Sequence, residues 1–271
     1  MKPKLILTGI LLLLSGISLC GQEKEQDKDQ DQDKKLKFIY LESGIDFISC
    51  EQPQKDYIRA DVDPYYYDFV SDHIRSLLYN TYLGVKFEYR MVKNLLGVSV
   101  GLRYNRMESS IGKTAYWTDS PDFFYVNFWN DATSSEYAKV LEINQKSDYI
   151  GIPVELRIYP YKDYPVNVYF KAGGSFNLLA GSKTNLVFKD ETMNPYERNV
   201  SSVIEEPSSY YASFHLGVGL KVGKLKKPGF ILEASIPVSI VTPDKATLVT
   251  PQGGVGVQFM VRIPLNNKTE K

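Results

Sequence analysis

Eight stretches of the chain alternate apolar and polar side chains with a period of two. That spacing sends successive residues to opposite faces of a β-strand. The clearest is Tyr149–Tyr159, where Ile150, Ile152, Val154, Leu156 and Ile158 oppose Tyr149, Gly151, Pro153, Glu155, Arg157 and Tyr159. The first stretch runs from Leu36 to Cys50 and sets Ile39, Leu41, Ile45 and Phe47 against Tyr40, Glu42, Gly44 and Asp46. The second, residues 77–91, opposes Leu83, Val85 and Phe87 to Gly84, Lys86, Glu88 and Arg90. The third opposes Leu96, Val98, Val100 and Leu102 to Gly97, Ser99, Gly101 and Arg103. Tyr149–Tyr159 is the fourth. After it come a strand at 166–178 carrying Lys171 on its polar face, one at 212–222 carrying His215 and Lys221, one at 230–239 carrying Glu233, and one at 254–263 carrying Arg262. On the 230–239 strand, Val238 is assigned to the apolar face. Pro153 lacks the N–H a ladder needs, so a local irregularity is expected there.

Short turns follow the second, fourth and sixth strands, and long connections follow the first, third and fifth. An even number of strands joined in this way predicts an all-β fold: an eight-stranded antiparallel up-and-down transmembrane β-barrel, with turns on the periplasmic side and loops outside. Closure removes the two open edges that a flat sheet of eight strands would expose. Two features set lipid, rather than a second sheet, against the apolar faces. None of those faces carries a charge, and the polar faces are rich in glycine, as a narrow lumen requires. The opposing alternative is a soluble secreted β-protein that binds a small apolar ligand.

The polar faces hold Glu42, Lys86, Glu88, Arg90, Arg103, Glu155, Arg157, Lys171, Lys221, Glu233 and Arg262. Charges of both signs in a crowded interior must pair, because an unpaired buried charge is very costly. These residues are therefore expected to form a luminal ion-pair network. A barrel of eight strands is filled by its own side chains or holds one small ligand, which excludes a general diffusion porin.

The ends of the chain add location. Lys2 and Lys4 precede the apolar run 5–14, and Ser18 and Cys20 occupy the -3 and -1 positions of a cleavage before Gly21. Residues 1–20 thus read as a secretory signal peptide; acylation of Cys20 is the alternative. Residues 21–35 contain no apolar side chain and are expected to be a disordered polar spacer. The barrel domain covers 36–265, and 266–271 form a polar tail. Segment 136–145 is expected either to extend the fourth strand above the membrane or to form a short helix.

At this point the chain resembles the PorT-like outer-membrane β-barrel proteins of the Bacteroidetes. The run that carries the resemblance is Ile152, Pro153, Val154, Leu156, Arg157 and Tyr159. The strand Phe170–Phe176, with Gly173 and Gly174, and the strand Phe214–Leu220 also match, and the resemblance spans roughly residues 36–265. It implies an outer-membrane location in a Gram-negative bacterium, and a role in assisting secretion for some members.

Composition limits the chemistry. Lysine plus arginine equals aspartate plus glutamate, 32 each, so no net field favours nucleic acid. Only His73 and His215 are present, and neither has a second ligand at metal spacing. No metal site, cofactor site or catalytic residue is assigned; His73 near the rim is the sole candidate for a lipid-modifying enzyme. The long loops are aromatic, with Tyr65, Tyr66, Tyr67, Tyr116, Trp117, Phe123, Phe124, Tyr125, Phe128 and Trp129. These are the candidate partner-binding residues, for a protein or a glycan, and outer-membrane lipid is the other expected partner. The expected function is a non-enzymatic outer-membrane barrel with a structural, binding or secretion-accessory role.

Overall fold

A computed structural model describes residues 36–51, 57–59, 74–91, 95–114, 121–129, 135–160, 164–242 and 248–265. The expected signal peptide 1–20 with Cys20, the spacer 21–35 and the tail 266–271 lie outside the described residues, as does His73.

Eight long strands form the wall: β1 (Lys37–Glu51), β3 (Ile74–Met91), β4 (Leu96–Thr114), β7 (Ser135–Ile158), β8 (Val166–Phe188), β9 (Tyr210–Val222), β10 (Gly229–Val241) and β11 (Thr250–Pro264). Each pairs antiparallel with the next, and β1 pairs with β11, from Phe38↔Pro264 to Glu51↔Thr250. The ladder therefore closes on itself, and the fold is an eight-stranded up-and-down β-barrel. Short strands β2 (Ile58–Arg59), β5 (Pro121–Asp122) and β6 (Phe124–Trp129) lie in the long connections. A 3-10 turn, Glu191–Tyr196, leads into helix α1, Glu197–Val203. The Asp190 carboxylate accepts from Thr192 N at 3.1 Å and starts that turn. Among the described residues no helix is long and apolar enough to cross a membrane; the strands do the crossing.

Alternation produces the two faces. Outward side chains from Ile150 to Ile158 on β7, Val166 to Leu178 on β8 and Val255 to Ile263 on β11 are apolar and exposed. Nine residues at about 3.3 Å each, tilted by about 40°, span roughly 20–25 Å, the height of a lipid-facing band. Such a continuous outward apolar band overturns the soluble alternative. At the turn between β9 and β10 Gly223 adopts φ 117°, a left-handed conformation that glycine tolerates and other residues resist.

Four strands run well past the band. β3, β4, β7 and β8 continue upward, and there the faces exchange character. Met107, Ile111, Ala138, Val140 and Ile143 point inward and are buried, while Arg106, Asp148 and Lys146 point outward. Segment 136–145 is accordingly strand rather than helix. Two bulges adjust the parity of these strands. Asp148 pairs with Gly181 but Tyr149 pairs with Leu179, leaving Ala180 as the extra residue. Leu141 is skipped between Val140↔Phe188 and Glu142↔Val187, where β6 replaces β4 as the neighbour of β7.

A third bulge corrects the sequence reading. Ser235 pairs with Gly217 but Val238 pairs with His215, so Ile236 and Pro237 together oppose one residue of β9. Alternation slips by one position, and Val238 faces inward at 4% exposure instead of facing lipid. At Pro153 the register with β8 is unbroken, Pro153↔Ser175. The ladder to β4 lapses there instead, between Val100↔Val154 and Arg103↔Gly151, because proline has no N–H to donate.

Candidate functional site

The lumen of the band is filled in layers. At the end where β9 turns into β10, Phe38, Tyr40, Tyr159, Tyr169 and Met260 pack together with Leu36 and Ile231. Cations lie over these rings: Arg90 is 3.7 Å from the Tyr159 centroid and Arg157 4.8 Å from that of Tyr40. The Arg262 guanidinium donates to Lys224 O at 2.8 Å, tying the β9–β10 turn to the floor.

Above this floor nine of the polar-face charges form one connected cluster. Glu42 accepts from Arg103 Nε at 2.8 Å and lies 2.5 Å from Lys86 Nζ, which also reaches Glu155 at 2.5 Å. Arg157 joins Glu155 at 2.7 Å, Glu88 at 2.9 Å and Glu233 at 3.1 Å. Arg90 Nε donates to Glu88 at 2.6 Å, and Lys171 pairs with Glu233. Tyr159 and Tyr169 donate to Glu88 and Glu233, and Gln258 donates to Glu42. Multiple charge-assisted bonds of this kind offset the cost of removing charges from water. Lys221 and Arg262 are buried on the same inner face but nearer the turns. His215 also faces the lumen, with Nε2 3.4 Å from Glu155 Oε1.

Glycine makes room for this packing. A Cβ on Gly219 would run into the Tyr169 ring, and one on Gly44 into the Tyr82 ring. Both rings lie flat over the neighbouring strand because nothing projects from it.

Over the ionic layer sits a cavity of about 10 Å³ bordered by Asp46, Asn80, Arg103, Lys171, His215 and Gln258. That is room for about one water and for no organic substrate. The upper end is then shut by a cap. Phe124, Val126 and Phe128 of β6, Ala138 and Val140 of β7, and Val200 and Ile204 at α1 form a buried apolar core with Ile111, Leu248 and Val249. The chain after α1 dips into the mouth, where Gln145 Nε2 donates to Glu205 O at 2.8 Å and Tyr149 OH to Ser208 O at 3.0 Å.

The aromatic loop residues divide accordingly. Phe124 and Phe128, expected as partner contacts, are buried at 0% and 1% and belong to the cap core. Phe123 and Tyr125 alternate with them and point outward, edge to face at 5.4 Å. Tyr137 of β7 joins Tyr125 at 6.3 Å, and Lys189 Nζ lies 3.7 Å from the Phe123 centroid. The sequence reading missed Tyr137, Lys139 and Lys189; their signal was their place opposite or beside β6 once 136–145 is read as strand. Tyr65, Tyr66, Tyr67, Tyr116, Trp117 and the side chain of Trp129 lie outside the described residues. Among the described residues no group of three or more His, Cys, Asp or Glu could hold a metal ion. Cys50 is a free, half-buried thiol beside the cap core.

No curated protein matches the chain at a significant level. Two solved structures are similar in outline. The outer membrane protein OprG from Pseudomonas aeruginosa is 13% identical, covering 84% of this chain and 93% of its own, with a TM-score of 0.38. The transport unit of the autotransporter AIDA-I from Escherichia coli is 6% identical, covering 92% and 95%, with a TM-score of 0.28. Likenesses this low carry no functional argument. A family model does match, over residues 70–241, which take in the strands from β3 to β10, the luminal charges they carry and the cap. With a closed eight-stranded wall, an outward apolar band and that match, the chain belongs to the outer membrane protein beta-barrel domain family.

Proposed function

We propose that this outer-membrane barrel is non-enzymatic and works as a binding or secretion-accessory protein through its cap, in the outer membrane of a Gram-negative bacterium. Membership of the PorT-like group of the Bacteroidetes, and export by a signal peptide over residues 1–20, are part of the same reading. The observation that carries it is the occluded lumen. Glu42, Lys86, Glu88, Glu155, Arg157 and Glu233 have fully buried side chains bonded to one another between an aromatic floor and an apolar cap. Among the described residues the lumen keeps room for about one water, so the surface left for a partner is outside. Phe123, Tyr125 and Tyr137, flanked by Lys139 and Lys189, supply the apolar and cationic contacts that protein or glycan partners use.

The test is affinity capture from native membranes with the full chain and with a Phe123→Ser, Tyr125→Ser, Tyr137→Ser variant. A partner retained by the first and lost by the second supports the reading. Turnover of membrane lipid by the purified protein, abolished by His73→Ala, would overturn it in favour of a rim enzyme.

A further inference from the structure

Immediately above the apolar band, outward side chains of β4, β7 and β8 line up in cross-strand rows. The first row brings together Arg106, Asp148 and Gly181, and the second Glu108, Lys146 and Lys183. Arg106 Nε lies 2.8 Å from Asp148, and Lys146 Nζ lies 3.2 Å from Glu108. Lys183 differs. It stands directly opposite Lys146, is exposed, and has no ion pair among the described residues. Like charges facing each other on paired strands repel, so this row is one anion short.

The space for that anion is present. Gly181 lies two residues below Lys183 on the same face, and nothing stands within 4 Å of where its Cβ would be. On the other side of β8, pairing with β9 ends at Leu178↔Tyr210, so no strand flanks Lys183 there. Among the described residues the approach is open from the plane of the membrane. Two outward positions above the last apolar row correspond to roughly 10 Å of height at about 6.6 Å per pair and a tilt of about 40°. The headgroup region extends roughly 5–8 Å beyond the hydrocarbon on each side, so Arg106 stands within it and the two lysines at its outer edge.

The geometry points to a binding site for the phosphate of an outer-leaflet lipid headgroup, held between Lys146 and Lys183 with Arg106 on its lower rim. The acyl chains of the same lipid lie on the apolar band directly beneath, which favours a membrane lipid over a soluble phosphate. Lysine serves here as a point charge with three donors, which suits a phosphate that must exchange. The site is independent of the cap surface and of what the cap binds.

The test uses the full chain in nanodiscs containing phosphorylated lipid A or its dephosphorylated form. Lipid retained after extraction is counted by native mass spectrometry. The phosphorylated form is expected to be retained preferentially, and Lys183→Gln is expected to cut its retention about fivefold, the effect of one surface lysine on an anionic headgroup. Lys146→Gln with Lys183→Gln lowers it further, whereas Arg198→Gln, an exposed cation on α1, leaves it unchanged. Heat-modifiable gel mobility shows that each variant is folded. Equal retention of both lipid forms, or full retention by Lys183→Gln, would overturn the site. Displacement of the lipid by millimolar inorganic phosphate at no cost in selectivity would show a free-anion site and overturn the lipid assignment.

Discussion

Arg157 on β7 donates Nη1 to Glu88 on β3 at 2.9 Å, although β4 lies between the two strands. The bond passes over Gly97 of β4, where an added Cβ would stand 3.0 Å from Glu88 Cδ and 3.3 Å from the Tyr159 ring. Three strands are thereby joined by one contact that depends on the smallest residue in the middle.

Gly97→Val should therefore destabilise the barrel by about 1–3 kcal/mol, the usual cost of overfilling a packed interior. The urea midpoint of the heat-modifiable gel shift measures it. A change on the opposite face of the same strand, Val98→Leu, should stay within about 0.5 kcal/mol. Equal effects at the two positions would mean that the lumen is not close-packed at β4.

Removing the shared cation should cost more. Arg157→Met leaves Glu88, Glu155 and Glu233 short of a partner in a dry interior, a loss of about 3–5 kcal/mol. Adding Glu88→Gln should restore part of it, so the double variant is more stable than the sum of the single changes predicts. A double-mutant cycle by urea unfolding in detergent checks this; strict additivity would show that the two residues act separately.

The cap and the barrel should fail separately. Phe128 is buried at 1% among β6, α1 and Tyr196, and Phe128→Ala removes about 3–5 kcal/mol of local packing. Limited proteolysis should then cut within residues 121–141 while the remaining barrel keeps its heat-modifiable mobility. Loss of that mobility would show a single cooperative unit.

One alkaline transition belongs to the cap. Burial, with the Glu205 carboxylate nearby, pushes the Tyr57 hydroxyl up to about 12. Since the folded value is raised, its contribution to cap stability is complete below the unfolded value of about 10 and is lost as pH rises towards 12. With ¹³C-labelled tyrosine, the Tyr57 phenol resonance should titrate near the upper value; titration near 10 would place the ring in water.

Much of the barrel was legible because membrane strands keep a strict period of two. Ile150–Ile158 and Val255–Ile263 announce both their strand and their lipid face, and Glu155, Arg157 and Glu233 follow by parity. Above the membrane the same strands turn inside out. Met107 and Ile111 now point inward and Arg106 and Glu108 outward, so a reader looking for one uninterrupted apolar face sees the strand stop at Asn105. Bulges at Ala180 and at Ile236–Pro237 shift parity without marking the sequence, so strict alternation sends Val238 to the lipid face. The cap was hidden for a different reason. Phe123, Phe124, Tyr125 and Phe128 read as a uniformly aromatic loop, and only the pairing of β6 with β7 decides which of them are core and which are surface.

The occluded lumen is the claim on which the functional reading rests, and ion current through the purified protein in a planar bilayer tests it directly. A barrel closed by the Glu88–Arg157–Glu155 layer and the cap should insert without stepwise ohmic conductance, and Gly97→Val should leave the baseline unchanged. A stable single-channel conductance in the unaltered protein, scaling with salt and enlarged by Arg157→Ala, would contradict it.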